Sequence, residues 1–190
     1  GSLPELLNVD VDDVAVPVPY LQVDVQWEQP FHQLFQRYRG LKVGIVWRGN
    51  PKHTRDPDRS CELAAFEPLL RLPNVHVFSL QKGAGEGDLF SVPFGHRIVP
   101  LGPRLTDMAD TAAAIQQLDL VITVDTSVAH LAAALGKPTW ILVQYAPDWR
   151  WMLHRSDSPW YPTVRLFRQH RWRDWQSVLD TVAEEIRKMV

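Results

Sequence analysis

The stretch DLVITVDTSVAHLAAALGKPTWILV, residues 119–143, constrains the fold more than any other part of this chain. Asp119–Val124 is a short apolar run, as expected for a strand buried on both faces. Thr126–Leu135 has helical spacing, and the Gly-Lys-Pro that follows marks the end of the helix. Thr139–Val143 is a second apolar run. Two buried strands joined by one helix need a crossover connection, so this stretch predicts a parallel βαβ unit.

The same alternation of patterns runs through most of the 190 residues. Further strands are predicted at Leu41–Trp47, Val75–Leu80, Arg97–Leu101 and Thr163–Phe167, and further helices at Trp27–Tyr38, Glu62–Arg71, Thr106–Leu118 and Asp174–Met189. The segments between them are predicted to be loops, at Arg48–Ser60, Gln81–Phe94 and Gln144–Pro162. We therefore expect one α/β domain over residues 27–190, with a doubly wound, mostly parallel, Rossmann-like sheet. The proline-punctuated residues 1–26 are predicted to be an extended lead-in or interdomain linker.

The turn after the predicted strand 119–124 is the strongest candidate binding site. Ligands of open parallel sheets bind beyond the carboxyl ends of the strands, where the unpaired N–H groups of a helix start favour an anion. Thr126 and Ser127 add hydroxyl donors, and His130 follows four residues after Thr126 on the same helix face. Asp125 repels a phosphate, so it caps the helix or accepts a sugar hydroxyl. The alternative is that Asp125 is only an N-cap and His130 only a packing residue.

Two more loops are expected at the same edge of the sheet. The first contains Gly49, Asn50, Arg59 and Ser60, which offer a close backbone approach and donors for an anionic ligand. The second contains Lys82, whose ammonium group can offset phosphate charge. A solvated polar loop and an ordinary surface lysine are the alternatives.

Possible nucleoside or sugar contacts complete the set of candidate residues. Thr111 is a candidate for lining a nucleoside pocket, although an interior helix position is the safer prediction for it. Trp149 and Trp151 lie in a loop rich in aromatic and charged residues, and flat aromatic faces suit sugar rings. The same composition suits a rigid structural loop or an interface with another domain, and the sequence leaves these alternatives open.

Composition and missing motifs exclude several classes of function. The formal net charge is −2 with no basic run, which disfavours nucleic acid as a partner. No apolar run reaches the length needed to span a membrane. Cys61 is the single cysteine, so a disulfide within the chain and a multi-cysteine zinc site are excluded, and a reducing, cytoplasmic location is expected. The sequence lacks G-x-G-x-x-G, Walker A, H-E-x-x-H and G-x-S-x-G motifs, which disfavours dehydrogenases, P-loop enzymes, zinc proteases and serine hydrolases.

Taken together, the motifs resemble a known family. VGIVWRGNPKHTRDPDRS, SLQKG, MADTAAAIQQLDLVITVDTSVAHLAAALGKP, APDWRW and DSPWYPTVRLFRQ are similar to the carboxyl-terminal half of a two-domain GT-B glycosyltransferase. The likeness is strongest to the heptosyltransferase-like domain found downstream of tetratricopeptide repeats in many bacterial proteins. It covers residues 41–190, and the lead-in is similar to the interdomain stretch of that family.

This resemblance implies a binding site for a nucleotide-sugar donor. The matching positions for the donor diphosphate and sugar are Asp125, Thr126, Ser127 and His130, with Lys82 and Gly49 nearby. No metal or other cofactor is expected, because in such enzymes helix ends and side chains stabilise the leaving diphosphate. The acceptor site and the base for the acceptor hydroxyl would belong to an amino-terminal half, preceded by repeats, that is not part of this sequence.

Three functions are compatible with these residues. The first is the donor-binding domain of a hexosyl- or heptosyltransferase, which as an isolated fragment is expected to be inactive. The second is a non-catalytic nucleotide- or sugar-binding module that keeps the fold. The third is a nucleotide-sugar epimerase of the same architecture, which would convert its donor without an acceptor. Fold analogy does not decide among them.

Overall fold

The computed structural model describes residues 6–14 and 17–190. The described residues form one six-stranded, all-parallel sheet in the order β3-β2-β1-β4-β5-β6. The strands are β1 Leu41–Val46, β2 Val75–Ser79, β3 Val99–Pro100, β4 Leu120–Val124, β5 Thr139–Val143 and β6 Val164–Arg168. The order reverses between β1 and β4, which is the position where a doubly wound sheet opens a crevice for ligands. The predicted fold class is therefore confirmed.

Six α-helices connect or flank these strands within the described part of the chain. They are α1 Val25–Phe35, α2 Asp56–Arg59, α3 Glu67–Leu70, α4 Met108–Gln116, α5 Ser127–Ala134 and α6 Trp175–Arg187. Short 3₁₀ helices lie at Val11–Val14, Leu63–Phe66, Glu86–Phe90, Gly95–Arg97, Gly102–Arg104 and Trp149–Trp151. None of the described helices is long and apolar enough to cross a bilayer.

Three predicted elements differ most from the structure, beside short 3₁₀ helices in other predicted loops and shifted helix ends. The segment 48–60, predicted to be a loop throughout, contains the short helix α2, which starts at Asp56 with Pro57 in its first turn. The single predicted helix 62–71 is a 3₁₀ turn followed by α3, with Pro68 at the start of the second piece. The predicted strand 97–101 pairs with β2 through two residues only. In each case the local hydrogen bonds that set these short elements leave no trace in loop composition or hydrophobic spacing.

The sheet buries apolar side chains on both faces. On one face α3 and α6 pack against β1, β4 and β5, with Leu69, Leu179 and Val182 fully buried. On the other face α1, α4 and α5 cover the sheet, and Phe35 stacks on Phe78 of β2 with ring centroids 4.3 Å apart. Cover on both faces explains why the strands read as continuous apolar runs.

The Gly-Lys-Pro segment fixes the carboxyl end of α5. Gly136 has φ +73°, a left-handed conformation that suits glycine at a helix end. The Lys137 ammonium donates to the carbonyls of Gln116 and Leu118, 2.7 and 3.1 Å away, at the end of α4. Burial lowers the pKa of Lys137. The lead-in also reaches this helix end, because the N–H of Tyr20 donates to the carbonyl of Ala134 at 3.0 Å.

Candidate functional site

A groove lies at the carboxyl ends of β1, β2 and β4. It consists of two adjoining cavities of about 450 and 190 Å³ that share Arg59, Thr126 and Ser127. The larger cavity is also lined by Val46, Arg48, Gly49, Asn50, Pro51, Leu80, Gln81, Lys82, Gly83, Ala84 and Val128. The smaller one is also lined by His53, Arg55, Asp125, His130, Gln144, Asp148 and Arg150. Together these volumes fall in the size range of small-ligand sites.

The start of α5 forms the wall between the two cavities. Thr126 is the N-cap residue, with extended backbone at φ −138° and ψ 172°, and none of the described side chains caps this helix start. The Thr126 hydroxyl instead lies 3.1 Å from the hydroxyl of Thr123. The first-turn N–H groups of Ser127 and Val128 therefore keep their capacity to donate to a ligand, whereas that of Ala129 donates to the carbonyl of Thr126 at 3.0 Å. The helix dipole favours an anion at this end. The interpretation of Asp125 as the helix cap is wrong, because the cap position is one residue later.

His130 faces the smaller cavity and is held on three sides. Its Nδ1 lies 3.0 Å from the hydroxyl of Tyr161, and its Nε2 lies 3.9 Å from Oδ1 of Asp125. Its ring stacks on Trp151 with centroids 5.5 Å apart and planes inclined by 22°. Burial lowers the pKa of His130, while Asp125 opposes that shift. The imidazole is therefore neutral at pH 7, with one nitrogen donating and the other accepting.

A compact side-chain network forms the wall on the β1 side. The Arg59 guanidinium donates to Asp56 Oδ1 and to the carbonyl of Asp125, both at 3.0 Å. The Ser60 hydroxyl donates to Asp56 Oδ2 at 3.0 Å and accepts the N–H of Gly49 at 2.9 Å. A Cβ on Gly49 would lie 2.4 Å from both the Arg59 guanidinium and the Asp56 carboxylate. A larger residue at position 49 would therefore have to displace one of these two groups.

The predicted residues of the loop after β1 fall into two groups, those that line the groove and one that lies behind it. Gly49, Asn50 and Arg59 line the groove, whereas Ser60 lies behind it and supports Gly49. The Asn50 side chain is a local turn element, because its Oδ1 accepts the N–H of Lys52 at 3.0 Å. Lys82 also lines the larger cavity, and its ammonium donates to the carbonyl of Gly102 at 2.8 Å.

The predicted nucleoside or sugar contacts lie outside the two cavities. Thr111 is buried inside α4, where its hydroxyl donates to the carbonyl of Asp107. Trp149 is 68% exposed and meets Trp160 edge-on. Trp151 is 1% exposed, and its ring stacks on the ring of His130. The aromatic loop thus contributes to the site through a structural contact, with one ring still facing solvent.

Gln81 is the most important residue that the sequence analysis missed. It is only 2% exposed, and its Oε1 accepts the N–H groups of Trp47 and Arg48 at 3.2 and 2.9 Å. Its Nε2 donates to the carbonyls of Arg48 and Ala84 at 3.2 and 2.8 Å. Gln81 therefore joins the loop after β1 to the loop after β2. The signal for it in the sequence is a polar residue directly after a buried strand, next to the candidate Lys82.

Other polar residues also line the groove. Arg55, Gln144, Asp148 and Arg150 line the smaller cavity, and the Arg55 guanidinium donates to the carbonyl of Ala146 at 2.7 Å. The described residues contain no cluster of three or more His, Cys, Asp or Glu side chains arranged to hold a metal ion. Cys61 is buried near the groove, and burial raises the pKa of its thiol, so it is not a nucleophile at neutral pH.

Comparison with known proteins identifies a family that is similar to part of this chain. The family model for glycosyltransferase family 9 (heptosyltransferase) matches residues 88–178, which include β4, the turn at Thr126 and α5. Protein FlbA of Caulobacter vibrioides is 31% identical over 152 residues, which is 78% of this chain and 25% of that protein. The chain therefore spans about a quarter of the length of this curated relative.

Solved structures show the same fold at low sequence identity. ADP-heptose lps heptosyltransferase II of E. coli has a TM-score of 0.62 at 17% identity, over 92% of this chain and 55% of that chain. E. coli heptosyltransferase WaaC with ADP-2-deoxy-2-fluoro heptose has a TM-score of 0.59 at 18% identity, over 92% and 51% of the two chains. A family 9 glycosyl transferase of Veillonella parvula has a TM-score of 0.62 at 12% identity, over 90% and 54%.

These matches confirm the resemblance to a heptosyltransferase-like fragment with the GT-B fold. The chain spans about half the length of each of these structures. The link to tetratricopeptide repeats, the boundary at residue 27, and the roles of the individual site residues stay predictions.

Proposed function

We propose that this domain binds a nucleoside diphosphate sugar as the donor half of a glycosyltransferase. The observation that carries the proposal is the uncapped start of α5, which lines both cavities of the groove. A helix start with unpaired N–H donors at the carboxyl edge of a parallel sheet is a general site for phosphate. The matches to glycosyltransferase family 9 support the same class of activity.

The charges around the groove suit a diphosphate and a sugar in neighbouring positions. Arg48, Arg59 and Lys82 line the larger cavity, so we place the diphosphate there, against the start of α5. Asp125 and His130 line the smaller cavity and offer an acceptor and a donor for sugar hydroxyl groups. We expect binding without a divalent metal, because fixed cations and backbone dipoles can stabilise the leaving diphosphate.

The proposed reaction is transfer of the sugar to an acceptor hydroxyl. The acceptor oxygen forms a bond to the anomeric carbon while the bond from that carbon to the diphosphate oxygen breaks. The electron pair goes to the diphosphate, beside the start of α5, and the acceptor proton goes to a base. We assign the acceptor and the base to the half of the architecture that this chain does not span, so the isolated domain should bind donor without turnover. The cytoplasmic location and the upstream repeats also belong to this proposal.

Isothermal titration calorimetry tests the binding step. We expect at least one of ADP, UDP and GDP to bind the domain, and the nucleotide with the lowest dissociation constant identifies the preferred base. Binding should persist in EDTA, which removes divalent metals. His130→Ala should weaken binding of the matching nucleotide sugar. His154→Ala is the control, because His154 is an exposed histidine that lines neither cavity of the groove. No heat from any of the three at millimolar concentration would contradict the proposal.

Turnover in a longer protein separates the proposed transferase from its alternatives. A transferase releases nucleoside diphosphate only when an acceptor is present. An epimerase would change the donor sugar without acceptor, and a non-catalytic module would bind the donor and release nothing. Chromatography of the nucleotide products distinguishes these outcomes.

A further inference from the structure

We infer that Tyr161 is a positioning residue that holds His130 in the tautomer with its proton on Nε2, so that the ring presents an N–H donor to the groove. The consequence for ligand binding rests on the proposed function, whereas the tautomer itself does not. Tyr161 lies near the end of the aromatic loop, residues 144–162, and lines neither of the two cavities.

Three contacts fix the orientation of the His130 ring. Nδ1 lies 3.0 Å from the Tyr161 hydroxyl, and Nε2 points the other way, 3.9 Å from Asp125 Oδ1. One ring face stacks on Trp151, which is almost fully buried and cannot move aside without disturbing the core. A flip about χ2 would exchange Nδ1 with Cδ2 and Nε2 with Cε1, so the ring would lose the Tyr161 hydrogen bond.

The charge of Asp125 selects between the two neutral tautomers. A protonated Nε2 turns the positive end of its N–H dipole towards the carboxylate, whereas a bare Nε2 would turn a lone pair towards it. The first arrangement is favoured electrostatically. Nδ1 then carries the lone pair, and the Tyr161 O–H is the donor that satisfies it. An unprotonated Nε2 would repel a phosphate and could only accept a hydrogen bond, for example from a hydroxyl. The tautomer therefore decides what kind of ligand atom His130 can bind.

Tyr20, a residue of the lead-in, lies beside the hydroxyl of Tyr161. The pKa of Tyr161 is raised to about 12, first by burial and then by the neighbouring hydroxyl of Tyr20. Tyr20 is held in place because the N–H groups of Tyr20 and Leu21 both donate to the carbonyl of Ala134, at the end of α5. The phenol thus stays protonated across the physiological pH range, which the donor role of Tyr161 requires.

Nitrogen-15 NMR of the histidine side chains tests the tautomer directly. In wild-type domain we expect His130 to show a protonated Nε2 and an unprotonated Nδ1 at pH 7.5, and Tyr161→Phe should shift the ring towards a mixture of tautomers. Tyr38→Phe is the matched control, because Tyr38 packs against His76 and Phe78 at the other end of the sheet. A wild-type His130 protonated on Nδ1, or an unchanged tautomer in Tyr161→Phe, would overturn the inference.

A double-mutant cycle tests whether Tyr161 acts through His130. Tyr161→Phe should weaken binding of the preferred nucleotide sugar about 3- to 10-fold, as expected for one lost hydrogen bond. Added to His130→Ala, the same change should have almost no further effect. Equal weakening in both backgrounds would show that Tyr161 acts independently and would contradict the inference. If no donor binds even wild type, the proposed function fails, and the NMR result still decides the role of Tyr161.

Discussion

The two walls of the groove are built in different ways. On the β4 side, the wall is the start of α5, made of consecutive residues whose backbone groups face the cavities. On the β1 side, the wall is a set of side chains from separate segments, joined by Asp56, Arg59 and Gln81. The Arg59 guanidinium connects the walls, because it donates to the carbonyl of Asp125.

Because of this difference, we expect the β4 wall to matter mainly for ligand binding and the β1 wall to matter mainly for the stability of the domain. The β4 wall offers donors that need no side chain to hold them, so substitutions there should cost little stability. The β1 wall has its polar groups already paired with one another, so substitutions there should first destabilise the domain. Removing one member of a buried hydrogen-bonded set leaves its partners unsatisfied, which is more costly than losing an exposed contact.

The largest effect is expected at Asp56. Asp56→Ala should lower the free energy of unfolding by about 2–4 kcal/mol, because it leaves the largely buried Arg59 guanidinium without its carboxylate. Asp58→Ala is the control, since that carboxylate is more exposed and lies 3.8 Å from Arg55. It should cost under about 1 kcal/mol. Urea denaturation followed by circular dichroism measures both, and equal losses would show that the β1 wall is not a buried network.

A smaller loss is expected at Gln81. Gln81→Leu keeps the volume but leaves the N–H groups of Trp47 and Arg48 without their acceptor, which should cost about 2 kcal/mol. Gln176→Ala removes a glutamine whose side-chain bond, to Asp180, is exposed and lies within one helix. This change should lower the free energy of unfolding by no more than about 0.5 kcal/mol. The same denaturation experiment compares the two, and a loss at Gln81 no larger than the control would contradict its bridging role.

The two helix starts should respond differently to loss of the cap residue. The Asp107 carboxylate accepts the N–H groups of Ala109 and Asp110, at 2.8 and 3.0 Å, so Asp107→Ala should cost about 1 kcal/mol. Thr126→Ala should cost less than about 0.5 kcal/mol, because its hydroxyl does not cap α5. Thermal and urea unfolding measure both. A cost at Thr126 equal to that at Asp107 would mean that the α5 start is capped and less available to a ligand.

The smallest expected effect is the pH dependence contributed by His130. Its pKa in the folded domain is lowered from 6.5, mainly by burial, so the unfolded chain binds a proton first as the pH falls. The contribution of His130 to the free energy of unfolding is thus fully present above pH 6.5, and it decreases as the pH drops below that value. Unfolding free energies at pH 7.5 and 5.5 should differ more for wild type than for His130→Gln. A larger difference in the variant would contradict the direction of the shift.

Much of the α5 region could be predicted because its information is local. Apolar strand runs, helical spacing and the glycine-proline stop all lie within residues 119–143, and the observed bounds differ there from the predicted ones by at most one residue at each end. The cap was the exception, since Asp125 and Thr126 are both good cap residues and only backbone geometry distinguishes them. Lys137 shows the same limit, because its partners at the end of α4 are distant in sequence.

The sequence by itself determined the parallel α/β sheet, the edge of the sheet where the candidate site lies and the helix start that faces it, because hydrophobic period and turn residues act over short distances. Only the tertiary structure decided that Ser60 supports Gly49, that Gln81 joins two loops, and that Trp151 and Tyr161 hold His130. These side chains are brought together by the crossing of separate strands and loops. Hydrogen-bond partners selected by that packing leave no periodic signal along the chain.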